Sequence, residues 1–325
     1  MVLEKSLDVP QPGLVVVIAT GGTIAQDGAR SATVAVEDLL DSAEAKGPIE
    51  GIQLMQVTSP NIRPEHWLSI ARSVQETAER PGVSGIVVTH GTDTLEETAF
   101  FLDLTCRTDI PVIVVGAMRP SHSPETDGSM NMRQGVDLAR SPEARGKGVL
   151  VLLNGRIQAA RDITKRHSTS INAFESPNLG DLGAIEAHSP ITLKSVPNAP
   201  FFVLPPALPE VPIIYGYAGM EPSTLAFLEN ARPAGLVVAG TGGGSIPDAI
   251  LPLLASAASE GVTIVRSTRT GAGVVARNAE VDDEAFGFIA SCTLNPQKSR
   301  VLLMLCLAAG LDVVATQTKF QDYGP

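Results

Sequence analysis

Thr20-Gly21-Gly22-Thr23 closes one apolar run of the chain, and Thr89-His90-Gly91-Thr92-Asp93-Thr94 closes another. Both set hydroxyls beside glycine, where a small turn leaves backbone N–H groups and an oxygen open to a ligand. A threonine hydroxyl is inert at its own pKa and needs a partner to take its proton. Asp93 offers a carboxylate, and Lys165, within Arg161-Asp162-Ile163-Thr164-Lys165-Arg166, offers an amine. A lysine is a base only where desolvation lowers its pKa; a neighbouring carboxylate opposes that while fixing the side chain in place. On spacing alone, Lys165 reads as a solvated charge between two arginines. Glycine and threonine are also the ordinary material of strand-to-helix turns. A phosphate cradle is the third reading and fares worst. No lysine follows Gly21-Gly22 as G-x-x-x-x-G-K-[ST] requires, and G-x-G-x-x-G is not matched there. Gly240-Thr241-Gly242-Gly243-Gly244-Ser245 is rich enough in glycine to cradle an anion, but a lone run of this kind is weak evidence.

These groups need elements to carry them. Short β-branched runs alternate with longer helical patterns, the mark of α/β architecture. Strands are expected over Leu14–Thr20, Gly85–His90, Val112–Gly116 and Gly148–Asn154, then over Ile213–Tyr217, Gly235–Gly240 and Val262–Ser267. The clearest helix is expected over Pro64–Arg80, where Trp67, Ile70, Ala71, Val74 and Ala78 share a face. Others are expected over Leu95–Cys106, Met130–Arg140, Pro222–Asn230, Pro247–Ser259 and Pro296–Leu311. The third and fourth strands run into Gly116-Ala117-Met118-Arg119-Pro120-Ser121 and Asn154-Gly155-Arg156. In an open parallel sheet these carboxyl ends share one edge, where ligands bind at a switch in strand order. The seven prolines from His188 to Pro212 mark an extended, semi-rigid linker. The expected organisation is a larger N-terminal doubly wound parallel-sheet α/β domain (1–190), a Pro-rich linker (191–211) and a smaller C-terminal α/β domain (212–325).

Composition narrows the function classes. The 325 residues carry a net charge of -11, which repels phosphate backbones and anionic lipid, so neither nucleic acid nor a membrane is an expected partner. The longest apolar stretch, Val301–Ala315, is interrupted by Asp312 and is too short to span a bilayer. Cys106, Cys292 and Cys306 lie in apolar surroundings, with no metal-ligand spacing and no disulfide framework. The first residues show no basic segment followed by an apolar one. A cytoplasmic location is expected, although a trimmed secreted chain would read the same way.

Ala19-Thr20-Gly21-Gly22-Thr23-Ile24-Ala25 and Thr89-His90-Gly91-Thr92-Asp93-Thr94-Leu95-Glu96-Glu97-Thr98 resemble the two signature segments of bacterial-type L-asparaginases and glutaminase-asparaginases. The resemblance continues through Gly116–Ser121 and Arg161–Lys165 to Ala279-Glu280-Val281-Asp282-Asp283 and Thr293-Leu294-Asn295-Pro296-Gln297-Lys298. It covers nearly the whole chain in order. It implies hydrolysis of L-asparagine to L-aspartate and ammonia without metal or cofactor, with side activity on L-glutamine. Thr23 is then the nucleophile that forms an acyl-enzyme. Thr92, Asp93 and Lys165 form a second triad that activates water or carries the first attack itself. Backbone N–H groups of Gly22, Gly91 and Ala117 would serve the oxyanion. Ser59 would hold the substrate's α-carboxylate, and Asp93 and Glu280 its α-ammonium. The resemblance also implies a homotetramer built from intimate dimers, with Glu280 supplied by a neighbouring chain.

Three departures bear on the chemistry. The family pattern carries a lid tyrosine about a dozen residues after the nucleophile, whereas here no tyrosine occurs between Thr23 and Ile213, and the loop Gln26–Thr33 looks shortened. Another group then activates Thr23, or the Thr92/Lys165 pair carries more of the chemistry, or turnover is slow. Pro60 stands where known members carry a glutamine that contacts the substrate amine, and proline donates nothing. Ser245 aligns with a position that is often asparagine and that influences glutamine use, which leaves the preference between the two amides open. An ammonia-supplying amidotransferase subunit and a non-catalytic amino-acid sensor on the same scaffold are the competing readings.

Overall fold

The computed structural model describes residues 13–27, 31–32, 34–186, 189–197 and 199–324. Val15 to Ala19 are buried on both sides, as a β-branched run in the middle of a covered parallel sheet must be. This strand is β1 (Leu14–Ala19). It is followed by β2 (Ile49–Gln53), β3 (Val83–Thr89), β4 (Val112–Val115), β5 (Val149–Leu153), β6 (Arg156–Ala159) and β7 (Gly183–Ala184). Their order across the sheet is β7-β6-β5-β4-β3-β1-β2. The five strands from β2 to β5 are parallel, and β6 and β7 are added antiparallel. The chain steps from β1 outward to β2 and then back across to β3. The order therefore reverses between β1 and β3, and a crevice opens at their carboxyl ends.

Helices α1 (Val36–Ala43), α2 (Pro64–Ala78), α3 (Leu95–Thr105) and α4 (Gly128–Arg140) cover the sheet. Alternate residues of β1 face opposite layers. Val16 and Ile18 meet Trp67 and Ile70 of α2 and Phe100 of α3. Val15 and Val17 meet Val36 and Leu39 of α1 and Val136 of α4. The face expected on α2 is the buried one, with Pro64 in its first turn.

A second sheet holds β8 (Ile213–Tyr215), β9 (Gly235–Gly240), β10 (Thr263–Thr268) and β11 (Ile289–Ala290), all parallel and in that order. It carries α5 (Leu251–Ser259), α6 (Pro296–Ala308) and α7 (Val313–Gln321). Helix α6 packs against α3 on one side and against β8, β9 and β10 on another. That double contact buries its Val301, Leu302, Leu303, Met304 and Leu305, as a helix apolar all round requires. Tyr323, just beyond α7, is fully buried. Its ring meets the edge of Phe100 and lies under the Arg161 guanidinium at 4.6 Å, while its carbonyl accepts from Thr293 Oγ1 at 2.5 Å.

Several elements differ from expectation for local reasons. Asn154-Gly155-Arg156 is not an open strand end: Asn154 and Gly155 both take positive φ, 49° and 71°, and turn β5 into β6. Asn-Gly is the preferred pair for that hairpin turn. β2 reads Ile-Glu-Gly-Ile-Gln and is only partly buried at the sheet edge, so it lacks a continuous apolar run. The helix expected from Pro247 starts at Leu251, which places Pro252 in the first turn, where its missing N–H costs nothing. The stretch expected as one helix over Pro222–Asn230 divides into a 3-10 turn, Pro222–Leu225, and a short α-helix, Phe227–Ala231. Among the described residues, no helix is long and apolar enough to cross a membrane.

Candidate active site

The ends of β1 and β3 are tied together before any ligand is considered. Thr20 Oγ1 donates to the Thr89 carbonyl at 2.6 Å, and Thr20 N donates to Thr89 Oγ1 at 3.3 Å. The two turns that follow meet backbone to backbone. Gly22 takes φ +85°, and a Cβ added to it would lie 2.2 Å from Gly91 N. Only glycine permits that approach. A third strand end joins them, since a Cβ on Gly116 would lie 2.7 Å from the His90 carbonyl and 3.2 Å from the Thr92 methyl.

His90 holds the second turn from beneath. It is fully buried. Trp67 Nε1 donates to Thr98 Oγ1 at 3.0 Å, leaving the Thr98 hydroxyl to donate to His90 Nε2 at 2.8 Å. His90 Nδ1 then donates to the Gly91 carbonyl at 2.7 Å. Every group in this chain is satisfied by a neutral imidazole, and burial pushes the His90 pKa down to about 4.

Thr92, Asp93 and Lys165 come together as one hydrogen-bonded group. Lys165 Nζ donates to Thr92 Oγ1 at 2.9 Å and to Asp93 Oδ1 at 2.6 Å. Thr92 is buried, Asp93 is 57% exposed and the Lys165 side chain 14% exposed. Lys165 reaches them from a two-residue strand, Thr164–Lys165, paired antiparallel with Phe174–Glu175. Ser59 sits in a 3-10 turn, Ser59–Asn61, that also holds Pro60. Its Oγ accepts from Asp93 N at 3.2 Å, and its carbonyl accepts from Thr94 Oγ1 at 2.8 Å. Ala117 follows β4 and is buried. The next two residues are pinned by Asp127, which accepts from Met118 N at 3.0 Å and from Arg119 N at 2.9 Å. Asn131 bridges neighbouring strand ends, donating to the Gly116 carbonyl and accepting from Asn154 N, both at 2.9 Å.

Ser245 and Glu280 form a separate pair on the second domain. Ser245 Oγ donates to Glu280 Oε2 at 2.7 Å. No hydrogen bond joins them to the Thr92 group among the described residues. Their loops are fastened by Arg266, the largest fully buried side chain. It forms a two-point bond with Asp283 at 2.8 and 2.6 Å and donates to the carbonyls of Gly243 and Ala276 at 3.1 and 2.8 Å.

Gly22, Ser59, Gly91, Thr92, Asp93, Ala117 and Lys165 thus gather at one sheet edge, while Ser245 and Glu280 make no hydrogen bond to it among the described residues. The backbone of Thr23 opens a 3-10 turn, Thr23–Ala25; its side chain lies outside the described residues. Of the Gln26–Thr33 loop, Gln26–Asp27 pairs with Ser31–Ala32, and 28–30 and 33 lie outside the described residues. His90, Asp127, Asn131 and Arg266 hold the site through bonds between a turn and the element beside it, a pairing that carries no spacing signal. Burial pushes the Cys106 and Cys306 thiols up to about 12, which makes them inert. Cys292 is only partly buried. Among the described residues, no group of three or more His, Cys, Asp or Glu side chains converges as a metal site.

Comparison with known proteins accounts for this arrangement. Residues 14–197 match the family model described as asparaginase, N-terminal, and residues 210–320 match the glutaminase/asparaginase C-terminal domain. The chain is 42% identical to "L-asparaginase 2" of Bacillus subtilis over 94% of this chain and 86% of that protein. It is 41% identical to "Glutaminase-asparaginase" of Acinetobacter glutaminasificans over 95% of this chain and 99% of that one. A Haemophilus influenzae protein named "Probable L-asparaginase periplasmic" is 40% identical over 99% and 95% of the two chains. Two family models in the expected order, and relatives of this identity along almost the full length, have one meaning: the chain belongs to the asparaginase family.

Proposed function

We propose that this protein is an amidohydrolase that converts L-asparagine to L-aspartate and ammonia, with side activity on L-glutamine. The observation that carries the reading is the Lys165–Thr92–Asp93 group at 2.9 and 2.6 Å, set at the sheet's switch point against the turn that bears Thr23. In the first half-reaction the Thr23 hydroxyl oxygen bonds to the amide carbon, and its proton goes to a neighbouring base. The tetrahedral intermediate then expels the amide nitrogen, which takes up a proton and leaves as ammonia. In the second half-reaction, water activated at Thr92 cleaves the ester and restores Thr23. For Lys165 to serve as the base, its amine must be neutral; the 2.9 Å contact then carries a proton from Thr92 to Nζ rather than the reverse. Backbone N–H groups of Gly22, Gly91 and Ala117 serve the oxyanion, each preorganised donor being worth about 3 kcal/mol in the transition state.

Ser59 holds the α-carboxylate and Asp93 the α-ammonium. Glu280, paired with Ser245 on the second domain, completes a neighbour's site in a homotetramer of intimate dimers. The division into 1–190, a linker 191–211 and 212–325 fits that use, and a cytoplasmic location is in keeping with the free cysteines. Cell fractionation decides the compartment, since one relative is named periplasmic. The direct experiment is ammonia release from asparagine and glutamine by purified protein and by its Thr23→Ala and Thr92→Val variants. Each variant is expected to lose at least about 10³-fold in kcat with the fold intact. An active Thr23→Ala protein overturns the nucleophile assignment. Micromolar asparagine binding without ammonia from any amide favours a sensor.

A further inference from the structure

A buried polar group behind Lys165 joins the two domains and takes no part in the chemistry above. Glu96, in the first turn of α3, is 4% exposed, and Lys298 on α6 is 1% exposed. Glu96 Oε1 accepts from Thr164 Oγ1 at 3.0 Å and from Lys165 N at 3.4 Å. Its Oε2 accepts from Asn295 Nδ2 at 2.7 Å and Lys298 Nζ at 2.9 Å. Lys298 Nζ also donates to the Ile163 carbonyl. One carboxylate and one ammonium therefore grip residues 163, 164 and 165 in succession. Burial works to raise the Glu96 carboxyl, yet Lys298, Asn295 and Thr164 together leave it below the usual carboxylate value. Glu96 therefore stays ionised despite its burial.

We propose that Glu96 and Lys298 are positioning residues for Lys165, so that the second domain acts on the chemistry of its own chain as well as on a neighbour's. The proposal rests on Lys165 being the partner of Thr92. The strand that carries Lys165 is two residues long and has a single two-residue neighbour, so ladder bonds alone hold it weakly. A buried ion pair is in itself weak evidence for stability, which makes its geometry the better reason for its presence. Misplacing a reacting group by about 1 Å costs on the order of 10²-fold in rate.

The test uses the full chain with Lys298→Met, Asn295→Ser and Thr92→Val. Serine keeps a side-chain oxygen to cap α6, the role in which Asn295 accepts from Lys298 N, but cannot reach Glu96. Lys298→Met is expected to lower kcat for asparagine at least tenfold and Asn295→Ser about threefold, each with KM within twofold of the parent. With kcat counted per titrated active site, a purely structural role would lower the titrated fraction or the thermal midpoint and leave kcat at the parent value. If Lys298→Met does not fold, Asn295→Ser alone decides. Unchanged kcat in the folded variants beside an inactive Thr92→Val, or a loss carried by KM, overturns the positioning. An active Thr92→Val overturns the reading of the site itself.

Discussion

The tightest local constraint on the site is a histidine that does no chemistry. His90 is neutral because it is buried, with its pKa down at about 4 from the ordinary 6.5. The unfolded chain regains the ordinary value, so as pH falls through about 6.5 the unfolded state takes the proton first. Stability that is complete above that pH is lost as the pH falls towards about 4. The loss attributable to His90 alone is about 2 kcal/mol between pH 7.5 and pH 4.5. Urea unfolding of the parent and a His90→Gln variant measures it: the parent's advantage at pH 7.5 is expected to shrink by that amount at pH 4.5. An advantage equal at both pH values would remove His90 as the cause. His90 was legible only as part of a motif, and Lys165 was read on spacing as a solvated charge. His90 meets Thr98 within one strand-to-helix unit, whereas Lys165 meets Thr92 from 73 residues away. No local pattern encodes a contact that the strand order creates.

Elements show where sequence reasoning works. Continuous β-branched runs gave β1, β3, β4 and β5, and periodicity gave α2, because in these segments one pattern matches one burial state. The edge strand β2 escaped, since its half-exposed residues neither alternate cleanly nor form a run. The hairpin from β5 to β6 has its signal in Asn154-Gly155, a pair that by sequence also suits a plain strand end. The turn at Gly22 supports a sharper prediction. Gly22 and Gly82 have nearly the same φ, +85° and +83°, but a Cβ on Gly22 meets the Gly91 backbone at 2.2 Å while one on Gly82 meets nothing within 4 Å. Gly82→Ala is expected to cost about 1 kcal/mol of backbone strain and to leave turnover unchanged. Gly22→Ala carries that strain and also forces the β1 and β3 turns apart, with kcat expected to fall at least about 100-fold. Thermal unfolding and ammonia release on the pair separate strain from collision; equal effects at both sites would show that the close approach is unimportant.

At the scale of the whole molecule, the proposed site is split between domains that hold their parts in different ways. Among the described residues, Ser245 and Glu280 bond to each other and not to the Thr92 group. A neighbour's second domain is therefore expected to bring them in. Mixing inactive Thr23→Ala and Glu280→Ala chains under subunit exchange should restore at most about a quarter of parental activity, from sites that pair two unaltered halves. No recovery, with exchange verified by mass, would place Glu280 in its own chain's site. Complementation of this kind lies beyond sequence reading by any local pattern, because it depends on how copies meet.

The burial of Tyr323 has a consequence for biosynthesis. The residue packs on Phe100 and Arg161 and accepts from Thr293, so it seals a seam whose walls are translated long before it. At about 5–20 residues per second, roughly 11–45 s separate Phe100 from Tyr323 on the ribosome. Throughout that interval the edge of Phe100 that Tyr323 meets lacks this cover and is a natural client for a chaperone. A nascent chain halted shortly before Tyr323 would hold every residue of the proposed site and still lack the plug that closes its two domains together.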